Sequence, residues 1–318
     1  MLSRWLLSLI LMVALVWWLG PLELVDQLQS FDLTWLWLAL VIGIAQVMLS
    51  AYRWHFTARS LDIPLSFLAA WREYYLASLI NQVLPGGVVG DAYRAKRHAD
   101  ESARRSQAWL AVVIERFSGQ LMLCVLTLGV LMFSTTWHQA LSDLWVDVST
   151  SSALMGVIGL TALAIIAVWL FNKHMRSPEP SNNRPAHWVS IALQGIRHAF
   201  WPTSRLIVQL VSSAVILVSY IAMFVVAARA LDVDLSTAML IILAPPLLLA
   251  MVIPITVSGW GLREAAAAGA WTTLGLDPAQ GVAVSVAYGL LIFLIALPGV
   301  LMWRPHTSRR ASPEGGGV

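Results

Sequence analysis

Long apolar runs, separated by short polar stretches, set the plan of this chain. A helix that crosses a bilayer needs roughly 20 mostly apolar residues. About six runs read as spans: Leu6–Leu19, Trp35–Phe56, Trp109–Phe133, Ala153–Phe171, Leu206–Ala228 and Gly281–Met302. Leu6–Leu19 follows Arg4 like a signal peptide, but no A-x-A cleavage site follows it and Trp17-Trp18 is a poor lead-in to one. It reads as a retained first helix. Two other apolar segments are broken. Phe67–Leu84 contains Trp71-Arg72-Glu73-Tyr74-Tyr75 and Asn81-Gln82 and stops at Pro85-Gly86-Gly87. Thr237–Ile255 carries Pro245-Pro246, stops at Pro254, and is followed by an Ala-rich helix over Leu262–Leu274. Irregular backbone at membrane depth survives only where protein or a water-filled cavity satisfies its polar groups. Both broken segments are therefore predicted to dip into the bilayer and return.

Composition agrees. The 318 residues are 58% hydrophobic and 12% charged, with a mean hydropathy of +0.74. Such a chain is not a soluble globular domain. Sixteen Trp suit the membrane–water boundary. A net charge of +3 makes no case for a nucleic-acid partner, and the single cysteine, Cys124, permits no internal disulfide. The chain shows no zinc-type spacing, no phosphate-binding Walker loop and no nucleophile elbow, so no cofactor, metal or enzymatic chemistry is expected. Gly259-Trp260-Gly261 has no βαβ context and is not a dinucleotide motif. His55, His98, His174, His198 and His306 sit near basic edges and His138 and His187 in loops, with no metal-spaced pair.

Charge placement changes the picture more than charge total. Arg94, Lys96, Arg97, Arg104 and Arg105, then Lys173, Arg176, Arg184, Arg197 and Arg205, then Arg304, Arg309 and Arg310 fall on one side if both broken segments return. Arg4, Arg53 and Arg59 join them as edge cations. The positive-inside rule then puts both termini in the cytoplasm of a bacterial cell, with the chain in its cytoplasmic membrane. A full crossing by Thr237–Ile255 would instead move the basic tail outside. Span, hairpin, span occurs over residues 35–133 and again, inverted, over 206–302, an arrangement that supports alternating access. The expected fold is an all-α polytopic membrane protein with about six full spans and two re-entrant helical hairpins forming an inverted repeat. It occupies one transmembrane unit over residues 1–303, with a disordered cytoplasmic tail over 304–318. Residues 176–185 read as a Pro- and Ser-rich linker, with an interfacial helix after it.

The candidate chemistry lies at the two breaks. Pro85-Gly86-Gly87-Val88-Val89-Gly90-Asp91-Ala92-Tyr93-Arg94 and Pro254-Ile255-Thr256-Val257-Ser258-Gly259-Trp260-Gly261-Leu262-Arg263-Glu264 share one frame 169 residues apart: Pro, four residues, Gly, three residues, Arg. Matching interruptions in two halves point to a transporter binding site. A helix opening after Gly90 would offer free N–H groups to an anion, and Ser258 is a candidate cap for the helix after Gly261. Arg94 and Arg263 are candidate bidentate anion ligands. The alternative is structural: each arginine pairs with Asp91 or Glu264 and holds no ligand. Asn81 is placed to serve freed carbonyls or a ligand. Glu115 and Arg116 lie deep in a span, where a charge needs a partner or a purpose. Adjacent helical residues do not face each other, so each should meet a different helix, with Arg72 and Arg263 as candidate mates for Glu115. Gly119 offers a smooth patch for another backbone.

These motifs, Asn81-x-x-Leu84-Pro85-Gly86-Gly87-x-x-Gly90-Asp91-x-x-Arg94, Glu115-Arg116-x-x-Gly119 and Pro254-x-x-x-Ser258-Gly259-x-Gly261-x-Arg263-Glu264, resemble the flippase-like lysylphosphatidylglycerol synthase transmembrane-region family over about residues 5–303. The resemblance implies lipid translocation or a role in envelope lipid metabolism; the residues themselves lead to the expectation of a polar or anionic lipid, with Arg94, Arg116 and Arg263 on the head group and Asp91, Glu115 and Glu264 balancing them. It also admits a scaffold that recruits a lipid-modifying enzyme at the cytoplasmic face, or a membrane-embedded lipid-modifying enzyme. The full-length synthases add a soluble aminoacyl-transfer domain. The sequence ends about 15 residues after the last span, so the expectation is the membrane part alone.

Overall fold

The computed structural model describes residues 2–85, 87–102, 104–143, 203–252 and 256–303. The predicted span Ala153–Phe171, the linker with its following interfacial helix, the tail, and the motif residues Gly86 and Pro254 lie outside the described residues. The described chain is α-helical: α1 (Leu2–Leu19), α2 (Pro21–Gln29), α3 (Thr34–Ser60), α4 (Phe67–Val83), α5 (Val89–Glu101), α6 (Arg105–Phe133), α7 (Thr135–Asp143), α8 (Thr203–Ala230), α9 (Thr237–Ala250), α10 (Leu262–Thr273) and α11 (Pro278–Ala296). A 3-10 turn over Leu297–Met302 extends α11. Among the described residues α3, α6, α8 and α11 together with its 3-10 extension are long and apolar enough to cross a bilayer. Helices α1 and α2 would make a fifth span only as a pair bent by 91°. Gly20 at φ 87° and Pro21 mark the bend.

Two helical hairpins, α4/α5 and α9/α10, lie between the long helices. At 1.5 Å per residue, α5, α9 and α10 are each about 18–21 Å long, short of the roughly 30 Å hydrocarbon core. Their tips meet: Pro85 and Val257 form an antiparallel bridge, and the Ser258 hydroxyl donates to Gln82 Oε1 at 2.8 Å.

The entrances to the hairpins are local copies of each other. Leu61-Asp62-Ile63-Pro64-Leu65-Ser66 leads into α4 and Leu231-Asp232-Val233-Asp234-Leu235-Ser236 into α9. Asp62 and Asp232 take left-handed backbone at φ 56° and 52°, a conformation Asp tolerates better than most residues. The Ile63 and Val233 N–H groups reach back to the Ala58 and Ala228 carbonyls at 3.0 and 3.1 Å, closing the preceding helices with the same six-to-one bond. Ser66 and Ser236 then cap the next helices, each accepting a backbone N–H at 3.2 Å from Ala69 and Met239. The repeat is thus built into the backbone as well as the motifs.

Packing follows. Helix α8 lies against α3, and Gln209 donates to Thr57 Oγ1 at 2.6 Å in their buried interface. Helix α10 lies against α11, and Gly281 lets the Trp271 ring seat on it. Phe224, Trp271 and Tyr288 anchor the larger apolar core.

Candidate functional site

Helix α3 carries Gln46, Ser50, Arg53 and Thr57 at helical spacing, all buried. A polar stripe inside an apolar span must face other protein groups, because lipid offers them no partner. Arg53 supplies the stripe's charge. Its Nε donates to Glu115 Oε1 at 3.2 Å, its Nη2 pairs with the same oxygen, and its Nη1 donates to Ser213 of α8 at 2.9 Å. Glu115, on α6, has no accessible surface. Its Oε2 accepts from Arg94 Nη2 at 2.5 Å, and the Tyr74 hydroxyl donates to Oε1 at 3.4 Å. Arg94 also donates from Nε to Asp91 Oδ1 at 3.0 Å, and its guanidinium carbon sits 4.6 Å from the Trp54 and Tyr74 ring centres. Asp91 Oδ2 pairs with Arg116 and accepts from Asn81 Nδ2 at 2.9 Å. Five charges from α3, α5 and α6 therefore form one connected cluster.

The second break is self-contained. Arg263 pairs through Nη2 with Glu264 Oε1 at 2.5 Å and donates from Nε to Ser285 of α11 at 2.7 Å. The Ser285 hydroxyl itself donates to Glu264 Oε1 at 3.0 Å. The Arg263 guanidinium lies 5.3 and 5.2 Å from the Trp260 and Tyr288 ring centres. A methyl at Gly289 would overlap that guanidinium, so the glycine makes its seat.

Between the hairpins lies a cavity of about 260 Å³. Its polar lining includes Gln46, Ser50, Arg53, Tyr74, Asn81, Gln82, Arg116, Gln120, Ser213, Ser258 and Tyr288. Its apolar lining includes Leu123, Ile216, Leu217, Leu248, Ile292 and Ile295. Gln46 Oε1 and the Tyr288 hydroxyl are buried without a hydrogen-bond partner.

Several expectations change. Glu115 is held by Arg53 and Arg94, not by Arg72 or Arg263; Arg72 lines a separate pocket of about 190 Å³ with Glu73, Arg97 and His98. As expected of neighbours on one helix, Glu115 and Arg116 meet different partners. At the start of each return helix one N–H that an anion would use is already taken. The Gly90 N–H is taken by Asn81 Oδ1 at 2.7 Å and the Gly261 N–H by Glu264 Oε2 at 2.7 Å. Ser258 bonds Gln82 across the tips instead of capping α10. Gly119 receives the Arg53 guanidinium, 3.3 Å from where a Cβ would stand, and not a backbone. Gly90 is the position where backbones do meet, since a methyl there would overlap the Ala77 carbonyl of α4.

Of the described motif residues, Asn81, Gly87, Arg116, Gly119 and Ser258 line the cavity. Gly90, Asp91, Arg94, Glu115, Gly259, Gly261, Arg263 and Glu264 stand behind it. Arg94 is sealed from solvent and Arg263 nearly so, while the Arg116 side chain keeps 38% of its surface. The sequence reading missed Arg53, which it took for an edge cation. The Gln46–Ser50–Arg53–Thr57 stripe is the signal that would have found it.

Comparison with known proteins agrees with this architecture. The family model described as lysylphosphatidylglycerol synthase TM region matches residues 5–299. UPF0104 membrane protein PH1989 of Pyrococcus horikoshii is 20% identical over 163 residues, which is 50% of this chain and 45% of the relative. The match thus spans less than half the length of that relative. No solved structure matches the chain.

Proposed function

The chain belongs to the lysylphosphatidylglycerol synthase transmembrane-region family, and from that premise we propose that it carries the polar head group of a membrane lipid between leaflets. The observation behind this reading is the cavity lined by the long helices and the hairpin tips, where guanidinium and amide groups share one space with Leu and Ile side chains. Its volume is near the lower end of the roughly 300–1,000 Å³ typical of small-molecule sites. It suits a head group whose hydrocarbon tails stay outside. Arg116 and Arg53 are the cations within reach of that head group; Arg94, Asp91 and Glu115 hold them in place.

Alternating access asks for two halves that can tilt against each other. The paired hairpin tips and the copied hairpin entrances support that reading. In this arrangement the chain sits in a bacterial cytoplasmic membrane with both termini inside, as the basic Arg94–Arg105 segment favours.

The test is reconstitution into liposomes with fluorescent lipids and a leaflet-accessibility assay. Wild-type protein should move lipid without altering it. Arg116→Gln should slow transfer about 10- to 100-fold, the loss expected for one charged hydrogen bond of about 1.5–3 kcal/mol. Chemically changed lipid would indicate an enzyme. Neither movement nor change would indicate a scaffold for a lipid-modifying partner.

A further inference from the structure

The charges around the cavity do not cancel. Arg53, Arg94 and Arg116 face Asp91 and Glu115 in one cluster, three cations against two carboxylates. Among the described residues, Arg53 and Arg116 are the only Lys, Arg, His, Asp or Glu side chains that line the cavity. Arg263 and Glu264 neutralise each other behind Tyr288 and do not alter the count. One positive charge is therefore left over, and the geometry says where it acts. Arg53 gives Nε and Nη2 to Glu115 and Nη1 to Ser213. Arg94 is sealed between Trp54 and Tyr74. Arg116 has one ion-pair partner, Asp91, and that carboxylate is already shared with Arg94 and Asn81. Its Nε has no partner, and its side chain opens into the cavity.

Resting on the transport reading above, we propose that the cavity is charge-matched to a lipid phosphodiester bearing a single negative charge, and discriminates against phosphomonoesters and diphosphates. An uncompensated charge away from water is costly in either sign. A phosphodiester brings the cluster and ligand together to zero. A phosphomonoester near two negative charges, or a diphosphate, leaves the site net negative, with no further cation among the described lining residues to meet it. A zwitterionic head group leaves the original positive charge uncancelled. Arg116 meets the phosphate oxygens with donors that Asp91 does not use.

Competition binding of short-chain lipids to the purified full chain in nanodiscs tests this at pH 8, where a phosphomonoester is mostly doubly ionised. The probes are dihexanoyl phosphatidylglycerol, dihexanoyl phosphatidic acid and dihexanoyl phosphatidylcholine. The phosphodiester anion should bind at least about 10-fold more tightly than either of the others, a difference of about 1.4 kcal/mol. Asp91→Asn raises the cluster by one positive charge and should invert the order of the two anionic lipids. Arg116→Gln brings the cluster to zero and should move the preference to dihexanoyl phosphatidylcholine. Equal binding of the three lipids by wild-type protein, or preference for phosphatidic acid, would overturn the charge match. The transport reading would still stand if Arg116→Gln slowed lipid movement in liposomes. Failure of all three lipids to bind would overturn both. The wild-type panel decides the matter even if Asp91→Asn does not fold.

Discussion

In the first hairpin Arg94 reaches across to Glu115 of α6, and Glu115 in turn holds Arg53 of α3. In the second hairpin Arg263 turns to Glu264, its own neighbour in the chain. Both arginines sit between two aromatic rings: Trp54 and Tyr74 for one, Trp260 and Tyr288 for the other. The repeat spacing of 169 places Ser285 where the first half has Arg116, and Val284 where it has Glu115. One half therefore links three helices through charge and keeps a cation facing the cavity. The other closes its charges locally and presents the neutral Tyr288. The lesson is that the shared arginine marks a common fold, while the residue that meets the cavity sits on the helix after it.

The largest expected effect comes from removing each half's central carboxylate. Glu115→Ala leaves the buried Arg53 with no carboxylate and Arg94 with Asp91 alone, and breaking buried pairs costs about 3–5 kcal/mol. Little monodisperse protein should survive size-exclusion chromatography in detergent. Glu264→Ala strands one guanidinium and uncaps the Gly261 N–H, so it should lower the thermal midpoint while leaving folded protein. If Glu264→Ala were the more damaging, the contrast between a linking and a local charge cluster would fail.

A smaller effect is expected where α1 supports the second tip. The buried Ser8 hydroxyl accepts the Val257 N–H at 2.9 Å, and Gly261 packs against Leu11. Ser8→Ala leaves that N–H unpaired, at a cost of about 1–3 kcal/mol. The first tip has no such hold on α1 among the described residues, so the shift in thermal midpoint should accompany loosening of residues 256–261 in hydrogen exchange, with the first tip unchanged.

The smallest effect belongs to the entrance of the first half. Asp32 accepts the Thr34 N–H at 2.9 Å and its hydroxyl at 2.7 Å, and these bonds hold its carboxyl below the usual carboxylate range. A depressed carboxylate adds stability above its unfolded pKa of about 3.9, and this is lost as pH falls through the folded value. The thermal midpoint of Asp32→Ala should lie slightly below wild type at pH 6, and the gap should close as pH falls below the ordinary carboxylate range. The repeat puts Trp201 at the matching spacing, so no counterpart is expected in the second half.

Much of the architecture was legible in the sequence. The apolar runs gave the long helices because lipid admits little else, and Pro and Gly gave the tips. The copied entrance, Leu-Asp-x-x-Leu-Ser, was also there to be read, but it carries no hydropathy signal and is short enough to pass as ordinary loop. The ion pairs were less legible. Arg53 lies within two turns of a helix end, where a cation normally snorkels to water, so linear position argues for an edge. Only its alignment with Gln46, Ser50 and Thr57 shows that it turns inward. Choosing Arg53 over Arg72 as the mate of Glu115 depends on how α3 and α4 rotate against α6, and one helix pattern does not fix the rotation of its neighbours.

The bond between Ser8 and Val257 spans 249 residues, and this orders the biosynthesis of the protein. At about 5–20 residues per second, Ser8 leaves the ribosome roughly 12–50 s before its acceptor site is filled. Until then its hydroxyl can turn back to a carbonyl of its own helix. Helix α1 is thus handed to the insertion machinery well before its partner at the second tip exists. A nascent chain halted before residue 257 would hold an α1 still free to leave the bundle.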